Sequence, residues 1–231
     1  MKNKIVILGI FFLLSITPCQ SADMMEINGN VHQKFIDISE WNGAISIEQY
    51  QLLKSEGIKG VVVKLTEGTV YRNPLARLQI ENAKKAGLRV STYHFSWFEN
   101  EREAIDQADY YVNYAEELDI NKDTTMVNDA ETGPMINADA TKVSICFRDQ
   151  LNKRGFKNVV HYSNAEWFNK DWMELNTLGR KNCWIAHWAT EYNKDKLLYS
   201  DMAAWQYTNK RNFNFLKGDF DCNIDYIGRF T

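Results

Sequence analysis

Apolar and polar positions along this chain change period in a regular way. Short runs of β-branched and apolar residues alternate with longer stretches whose apolar positions recur at helical spacing. Phe35-Ile36-Asp37-Ile38-Ser39 predicts a first strand. Ser46 with Gln49 three residues on forms a capping box, so a helix starts there and stops at Gly57. Gly60 to Leu65 is apolar on both faces, as a strand covered on two sides should be. Asn73 and Pro74 open a second helix, with Leu75, Leu78, Asn82 and Ala86 along one side before Gly87. Leu88 to Phe95 reads as a third strand. Asn100 with Glu103 starts a third helix, in which Ala104, Ala108, Tyr111, Ala115 and Leu118 recur. Thr124 to Glu131 is a fourth strand, a helix from about Asp139 to Arg154 follows, and Asn158 to Ser163 is a fifth strand.

Beyond this point the rhythm changes. Cys183 to Trp188, Met202 to Tyr207 and Asp219 to Ile227 look like strands, but little helical periodicity separates them. Alternating β and α elements joined by right-handed crossovers give a parallel sheet wrapped by helices. Five βα units followed by three plainer strands predict an α/β, TIM-like barrel of about eight strands that closes without its last helices. With no repeat, low-complexity stretch or long linker, residues 23–231 are expected to form a single domain.

The first residues stand outside this pattern. Lys2 and Lys4 precede an apolar run from Ile5 to Ile16, followed by Pro18, Ser21 and Ala22. That is the layout of a secretory signal, with cleavage expected near Ser21/Ala22 and a secreted or periplasmic product. Lipid anchoring at Cys19 is the rival, and Pro18 just before that cysteine fits it poorly. The run is too short for an ordinary membrane-spanning helix, and no other stretch is long enough.

Setting aside Lys2 and Lys4 leaves 25 of the 27 basic side chains against 30 acidic ones, a net of −5. Such a surface argues against nucleic acid as a partner. Cys146, Cys183 and Cys222 show neither a disulfide framework nor zinc-ligand spacing, and His32, His94, His161 and His187 are scattered. Neither a catalytic metal nor a cofactor is expected, and the protein is expected to act as a monomer.

The chemistry is carried by acids. In an extended strand Asp129 and Glu131 project to the same side, and crowded carboxylates raise one pKa enough to keep a proton donor near neutral pH. A chain of this length carries roughly one Asp-x-Glu by chance, so the surroundings decide its meaning. In a parallel barrel the working side chains sit at the carboxyl ends of the strands. Asp37 ends the first strand, the Asp129/Glu131 pair ends the fourth, and Asp221 lies in the last. Closure makes the first and last strands neighbours, so Asp37 and Asp221 should meet across the mouth from the pair. Taken singly, Asp37 and Asp221 are more readily explained as turn caps. Together the acids form the layout that glycosidic bond cleavage requires: one protonated acid, with anions to stabilise an oxocarbenium-like transition state.

Aromatic residues cluster in the same strands, and Tyr93, Trp97, Tyr162, Trp188, Trp205 and Tyr207 suit sugar faces as well as they suit a core. Gln206 lies among them as a further candidate sugar contact. Lys64, Glu67 and His94 are polar groups in apolar strand contexts, each readable as a satisfied buried ion or hydrogen bond. No phosphate loop, Gly-x-Ser-x-Gly elbow or Cys–His nucleophile motif competes.

Read in order, the stretches Asp37-Ile38-Ser39-Glu40-Trp41-Asn42-Gly43, Lys64-Leu65-Thr66-Glu67-Gly68, Tyr93-His94-Phe95, Asp129-Ala130-Glu131, Trp184-Ile185-Ala186, Trp205-Gln206-Tyr207 and Asp221-Cys222-Asn223 resemble the glycoside hydrolase family 25 lysozymes, the N-acetylmuramidases. No single stretch is specific; their order is. The resemblance implies a barrel of five βα units and three further strands. It also implies Glu131 as general acid, with Asp37, Asp129 and Asp221 completing the acidic site. The implied substrate is the peptidoglycan glycan strand, cleaved with retention at the β-1,4 bond from N-acetylmuramic acid to N-acetylglucosamine. Either Asp129 or the substrate's own acetamido group would act as nucleophile, the second being preferred. Asn128 departs from the family's usual apolar residue and is expected to weaken barrel packing without touching chemistry. Two alternatives are a hydrolase of another amino-sugar polymer such as chitin and a wall-binding barrel without catalysis. Val127 stands where a chitinase-like series would need another Asp, and the presence of all four acids argues against the inactive barrel.

Overall fold

The computed structural model describes residues 32–188 and 192–231. The leader reading for residues 1–22, with its Ser21/Ala22 and Cys19 alternatives, lies outside the described residues. The strands are β1 (Gln33–Ile38), β2 (Ile58–Glu67), β3 (Tyr71–Arg72), β4 (Arg89–Phe95), β5 (Met126–Asp129), β6 (Val159–Asn164), β7 (Cys183–Ala186), β8 (Ala204–Asn212) and β9 (Asp219–Asp225). They follow the order β1-β9-β8-β7-β6-β5-β4-β2, and a β1–β2 pairing closes the ring; β3 hangs on β2 as a short hairpin arm. The helices are α1 (Ile47–Ser55), α2 (Ala76–Lys85), α3 (Glu101–Glu117), α4 (Gly133–Asn137), α5 (Ala140–Lys153), α6 (Ala165–Asn169) and α7 (Leu175–Leu178). No helix among the described residues is long and apolar enough to cross a membrane.

Local chemistry sets these boundaries. Ser46 and Gln49 make the expected reciprocal cap on α1, and Asn100 Oδ1 accepts the Glu103 N–H at 3.0 Å to open α3. Asn73 acts one turn earlier than the helix it was expected to cap: it accepts the Leu75 N–H at 2.9 Å, and α2 begins at Ala76. The fifth unit holds only the short α6 and α7, and no helix follows β7 or β8 among the described residues. The closed barrel with reduced final units is therefore the observed architecture.

One feature of the topology differs from a uniformly parallel barrel. β9 runs antiparallel to both of its neighbours, β8 and β1. Its beginning, rather than its end, therefore lies at the mouth, and Asp221 sits directly opposite Asp37. Strand parity divides the side chains. Phe35, Val62, Val127, Val160, Trp184 and Ala204 pack inside the barrel, whereas Ile36, Val61, Val63, Met126, Ile185 and Trp205 join the larger core shared with the helices.

Asn128 belongs to that outer core, and it does not leave the packing defect expected of it. It accepts from Ser96 Oγ at 2.6 Å, donates to Ser144 Oγ at 3.0 Å and pairs with His161 Nδ1 at 3.1 Å. A buried amide with three partners ties β5 to its neighbours instead of loosening them. His94 is satisfied in the same way, between Thr66 Oγ1 and Gln107 Oε1, and burial pushes its pKa down to about 4.

The end of the barrel away from the mouth is plugged by Phe230, stacked on Phe35 with ring centroids 4.5 Å apart. The buried Asp225 carboxylate holds this plug. Its Oδ1 accepts backbone N–H groups from Ile227, Gly228 and Arg229, and its Oδ2 accepts those of Phe230 and Thr231 and the Thr231 hydroxyl. Gly60 makes room, since a Cβ there would lie 1.8 Å from the Phe230 carbonyl oxygen. Asp225→Asn turns one acceptor oxygen into a donor facing other donors. It should lower stability by about 3 kcal/mol, read as a reduced urea midpoint; an unchanged midpoint would remove Asp225 from this role.

Candidate active site

The mouth of the barrel holds a cleft of about 280 Å³, lined by Asp37, Asp129, Glu131 and Asp221 together with Tyr93, Tyr162, Trp184, Trp188 and Gln206. The four acids come from β1, the end of β5 and the loop after it, and β9, so the strand order itself brings them together.

Two buried amides fix Asp37. Its Oδ2 accepts from Asn223 Nδ2 at 2.8 Å and from Gln206 Nε2 at 3.1 Å. The orientation of each amide is determined by groups that can only donate. Trp184 Nε1 gives its hydrogen to Asn223 Oδ1 at 3.0 Å, and Trp188 Nε1 gives its own to Gln206 Oε1 at 2.9 Å. With the oxygens so engaged, both NH₂ groups must face Asp37. Tyr162 donates a second hydrogen bond to Gln206 Oε1 at 3.0 Å.

Asp37 and Asp221 face each other as register partners on β1 and β9. Burial raises Asp37 to about 6, while its bonds to Asn223 and Gln206 hold it back from rising further. Burial and the adjacent Asp37 charge raise Asp221 to about 8. The proton therefore rests on Asp221, because the amides stabilise the charge on Asp37. Across the cleft, burial and the neighbouring Glu131 charge push Asp129 well above the ordinary carboxylate range. Asp129 Oδ1 is buried without a hydrogen-bond partner among the described residues. Glu131 stands more open, and enclosure by the cleft walls and the Asp37 charge raise its pKa as well.

Lys64 supplies the opposing charge in the cleft wall and draws the pKa values of Asp129 and Glu131 back down. Glu67 holds its ammonium at 2.6 Å, and the Phe95 ring lies 4.8 Å beneath it. The Lys64/Glu67 pair is thus a part-buried ion pair that borders the site.

The sequence-derived aromatic set divides. Tyr93, Tyr162 and Trp188 line the cleft. Trp205 does not: it is 0% exposed, donates to the His187 carbonyl at 3.0 Å and belongs to the helix-side core, so it supports the wall from behind. The parity of β8 causes this, since Gln206 points inward and its neighbours point outward. Trp97 lies outside the cleft lining, half-exposed at the rim, with its Nε1 donating to Glu67 at 3.0 Å. Sequence reasoning missed Trp41, which is 90% exposed beside the cleft on a short turn after β1, and Trp184 and Asn223, which orient Asp37 from within. In the structure Ser39 and Asn42 cap the Trp41 turn, but nothing local in the sequence distinguishes an exposed indole from a packed one.

Comparison with known proteins gives a consistent result. The model of "Glycosyl hydrolases family 25" matches residues 36–215. Lysozyme M1 of Streptomyces globisporus is 28% identical over 197 residues, 81% of this chain and 66% of its own length. An autolytic lysozyme of Clostridium acetobutylicum is 25% identical over 190 residues, 81% of this chain and 54% of its own. The chain thus spans between half and two-thirds of the length of these relatives. Among solved structures, a bacterial lysozyme from Streptomyces coelicolor superposes with a TM-score of 0.65 at 26% identity, covering 84% of this chain and 92% of the other. The modular autolysin LytC from Streptococcus pneumoniae, solved with a synthetic peptidoglycan ligand, gives a TM-score of 0.70 at 20% identity, covering 86% and 47%.

The raised carboxyls have a consequence for stability. A carboxyl whose folded pKa exceeds its unfolded value of about 3.9 stabilises the fold below that value, and the contribution disappears as pH rises through the folded pKa. For Asp221 the loss is complete above about 8. Asp221→Asn keeps a donor beside Asp37 without the charge. It should raise the melting temperature by about 3 °C or more at about pH 8.5 and leave it nearly unchanged at about pH 4.5. Equal effects at both pH values would refute the proton held by Asp221.

Proposed function

The chain belongs to glycosyl hydrolase family 25, and on that premise we propose that it is a muramidase cleaving the β-1,4 bond from N-acetylmuramic acid to N-acetylglucosamine in peptidoglycan, with retention. The observation that carries this reading is the convergence of Asp37, Asp129, Glu131 and Asp221 on one aromatic-walled cleft. The lysozyme names of its relatives and the peptidoglycan ligand of the LytC structure support the substrate. A secretory leader would deliver the enzyme to a polymer that lies outside the cytoplasmic membrane.

In this mechanism Glu131 protonates the leaving oxygen. It is open to the cleft and its raised pKa lets it hold a proton at mildly acidic pH. Asp129 positions the substrate's acetamido group, whose carbonyl oxygen attacks the anomeric carbon. The unpartnered Oδ1 of Asp129 is an acceptor suited to the acetamido N–H. Burial raises both carboxyls, which favours a proton on one of them while the cleft is empty. The arriving N–H stabilises the Asp129 anion, and the proton then belongs to Glu131, where the leaving group needs it. Asp37, held by Asn223 and Gln206, faces the positive charge that develops at the sugar ring. Trp188 and Tyr162, both fastened to Gln206, provide fixed faces for the sugars.

Glu131→Gln should abolish release of N-acetylmuramic acid reducing ends from purified peptidoglycan, followed by mass spectrometry, with the melting temperature retained. The wild-type rate should be bell-shaped in pH with an acidic optimum, since the rate falls as Glu131 loses its proton at higher pH. Release by the Gln variant near the wild-type rate, N-acetylglucosamine reducing ends, or a flat profile from about pH 4 to 9 would contradict the assignment.

A further inference from the structure

A second cavity, of about 470 Å³, lies on the outer face of the barrel beside the closing strands, where no helix follows β7 or β8 among the described residues. This volume falls in the range of roughly 300–1,000 Å³ usual for ligand sites. Its floor holds outward-facing Tyr207 and Cys222, and Tyr192 forms a wall with its ring 4.7 Å from that of Tyr207. Among the described residues its lining is basic, opposite in sign to the protein as a whole: Lys34, Lys210 and Arg211 stand against Glu56. Arg211 lies 3.7 Å from Glu56, so this acid is already engaged. Lys34 sits over the Tyr192 ring at 4.7 Å, and neither Lys34 nor Lys210 pairs with a carboxylate among the described residues. Past Tyr192 the surface continues with Lys194 and Lys196 against Asp195.

This basic groove and the catalytic cleft share one side chain. Trp188 lines both, half-exposed, with its indole N–H held by buried Gln206. A polymer lying on Trp188 in the cleft therefore brings any branch it carries to the edge of the groove. Peptidoglycan carries such branches, short peptides with free carboxylates attached to the muramic acid sugars. We propose that the Lys34/Lys210 groove seats an acidic stem peptide of the strand bound in the cleft, so that the enzyme prefers peptide-bearing glycan to bare glycan. The inference rests on the peptidoglycan reading above. The part-exposed Lys34 ammonium over the Tyr192 ring and the exposed Lys210 suit a carboxylate on a peptide backbone, and their contact with solvent makes the attraction dependent on salt.

The test uses the full chain and two substrates, uncrosslinked glycan strands with intact stem peptides and the same strands after enzymatic removal of the peptides. The wild-type protein should show the higher kcat/KM on the peptide-bearing strands, and added salt should narrow the difference. The double variant Lys34→Glu, Lys210→Glu should lose about tenfold in kcat/KM on those strands, through KM, while its rate on bare glycan stays within about twofold of wild type. Equal wild-type rates on the two substrates, or a variant affected equally on both or on neither, would overturn the groove assignment while leaving the muramidase reading intact. A wild-type protein that cleaves neither substrate would remove that reading and the inference with it.

Discussion

Carboxyl groups crowded into a poorly hydrated cleft repel one another, and this constraint organises the mouth of the barrel. Asp37, Asp129, Glu131 and Asp221 are tolerated there because protons, amide donors and one ammonium group divide their charge. Asp221 keeps a proton so that Asp37 can be charged; Asn223 and Gln206 point their NH₂ groups at Asp37; Lys64 moderates the opposite pair. The two amides and Lys64 are in turn held by neighbouring side chains. The indoles of Trp184 and Trp188 set the amides, and Glu67 with Phe95 sets Lys64. The cleft is thus pre-organised around charge.

The reversed final strand makes the arrangement possible. β9 pairs antiparallel with β1, putting Asp221 opposite Asp37 and Asn223 opposite Phe35. On β8, Gln206 faces Asn223. Three inward-facing polar residues therefore lie in adjacent rungs beside Asp37. At the other end of the same strand, Asp225 gathers the backbone that carries Phe230 into the barrel floor. One strand therefore closes the barrel, completes the acidic pair and anchors the plug.

Much of this was legible in the sequence, for identifiable reasons. Alternation of strand and helix patterns, the Ser46 and Asn100 caps and the buried run at Gly60 to Leu65 are local signals, and the structure follows them. The resemblance to the family rested on ordered short stretches, and the match to residues 36–215 bears it out. The direction of β9 was not legible, because an alternating pattern reads the same in either sense. Trp205 and Trp188 also looked alike as strand-end indoles, yet one is fully buried and the other half-exposed. Asn128 looked like a packing fault because its partners Ser96, Ser144 and His161 come from other elements. Long-range pairing decides all three cases.

Carboxyl titration by ¹³C NMR measures the central claim directly. At least one Asp signal is predicted to titrate well above the ordinary range, from the pair whose members lie at about 6 and about 8, and Asp221→Asn should remove the higher titration while leaving Asp37, which burial raises, near its wild-type value. A spectrum in which every carboxyl titrates below about pH 5 would contradict a cleft organised by retained protons.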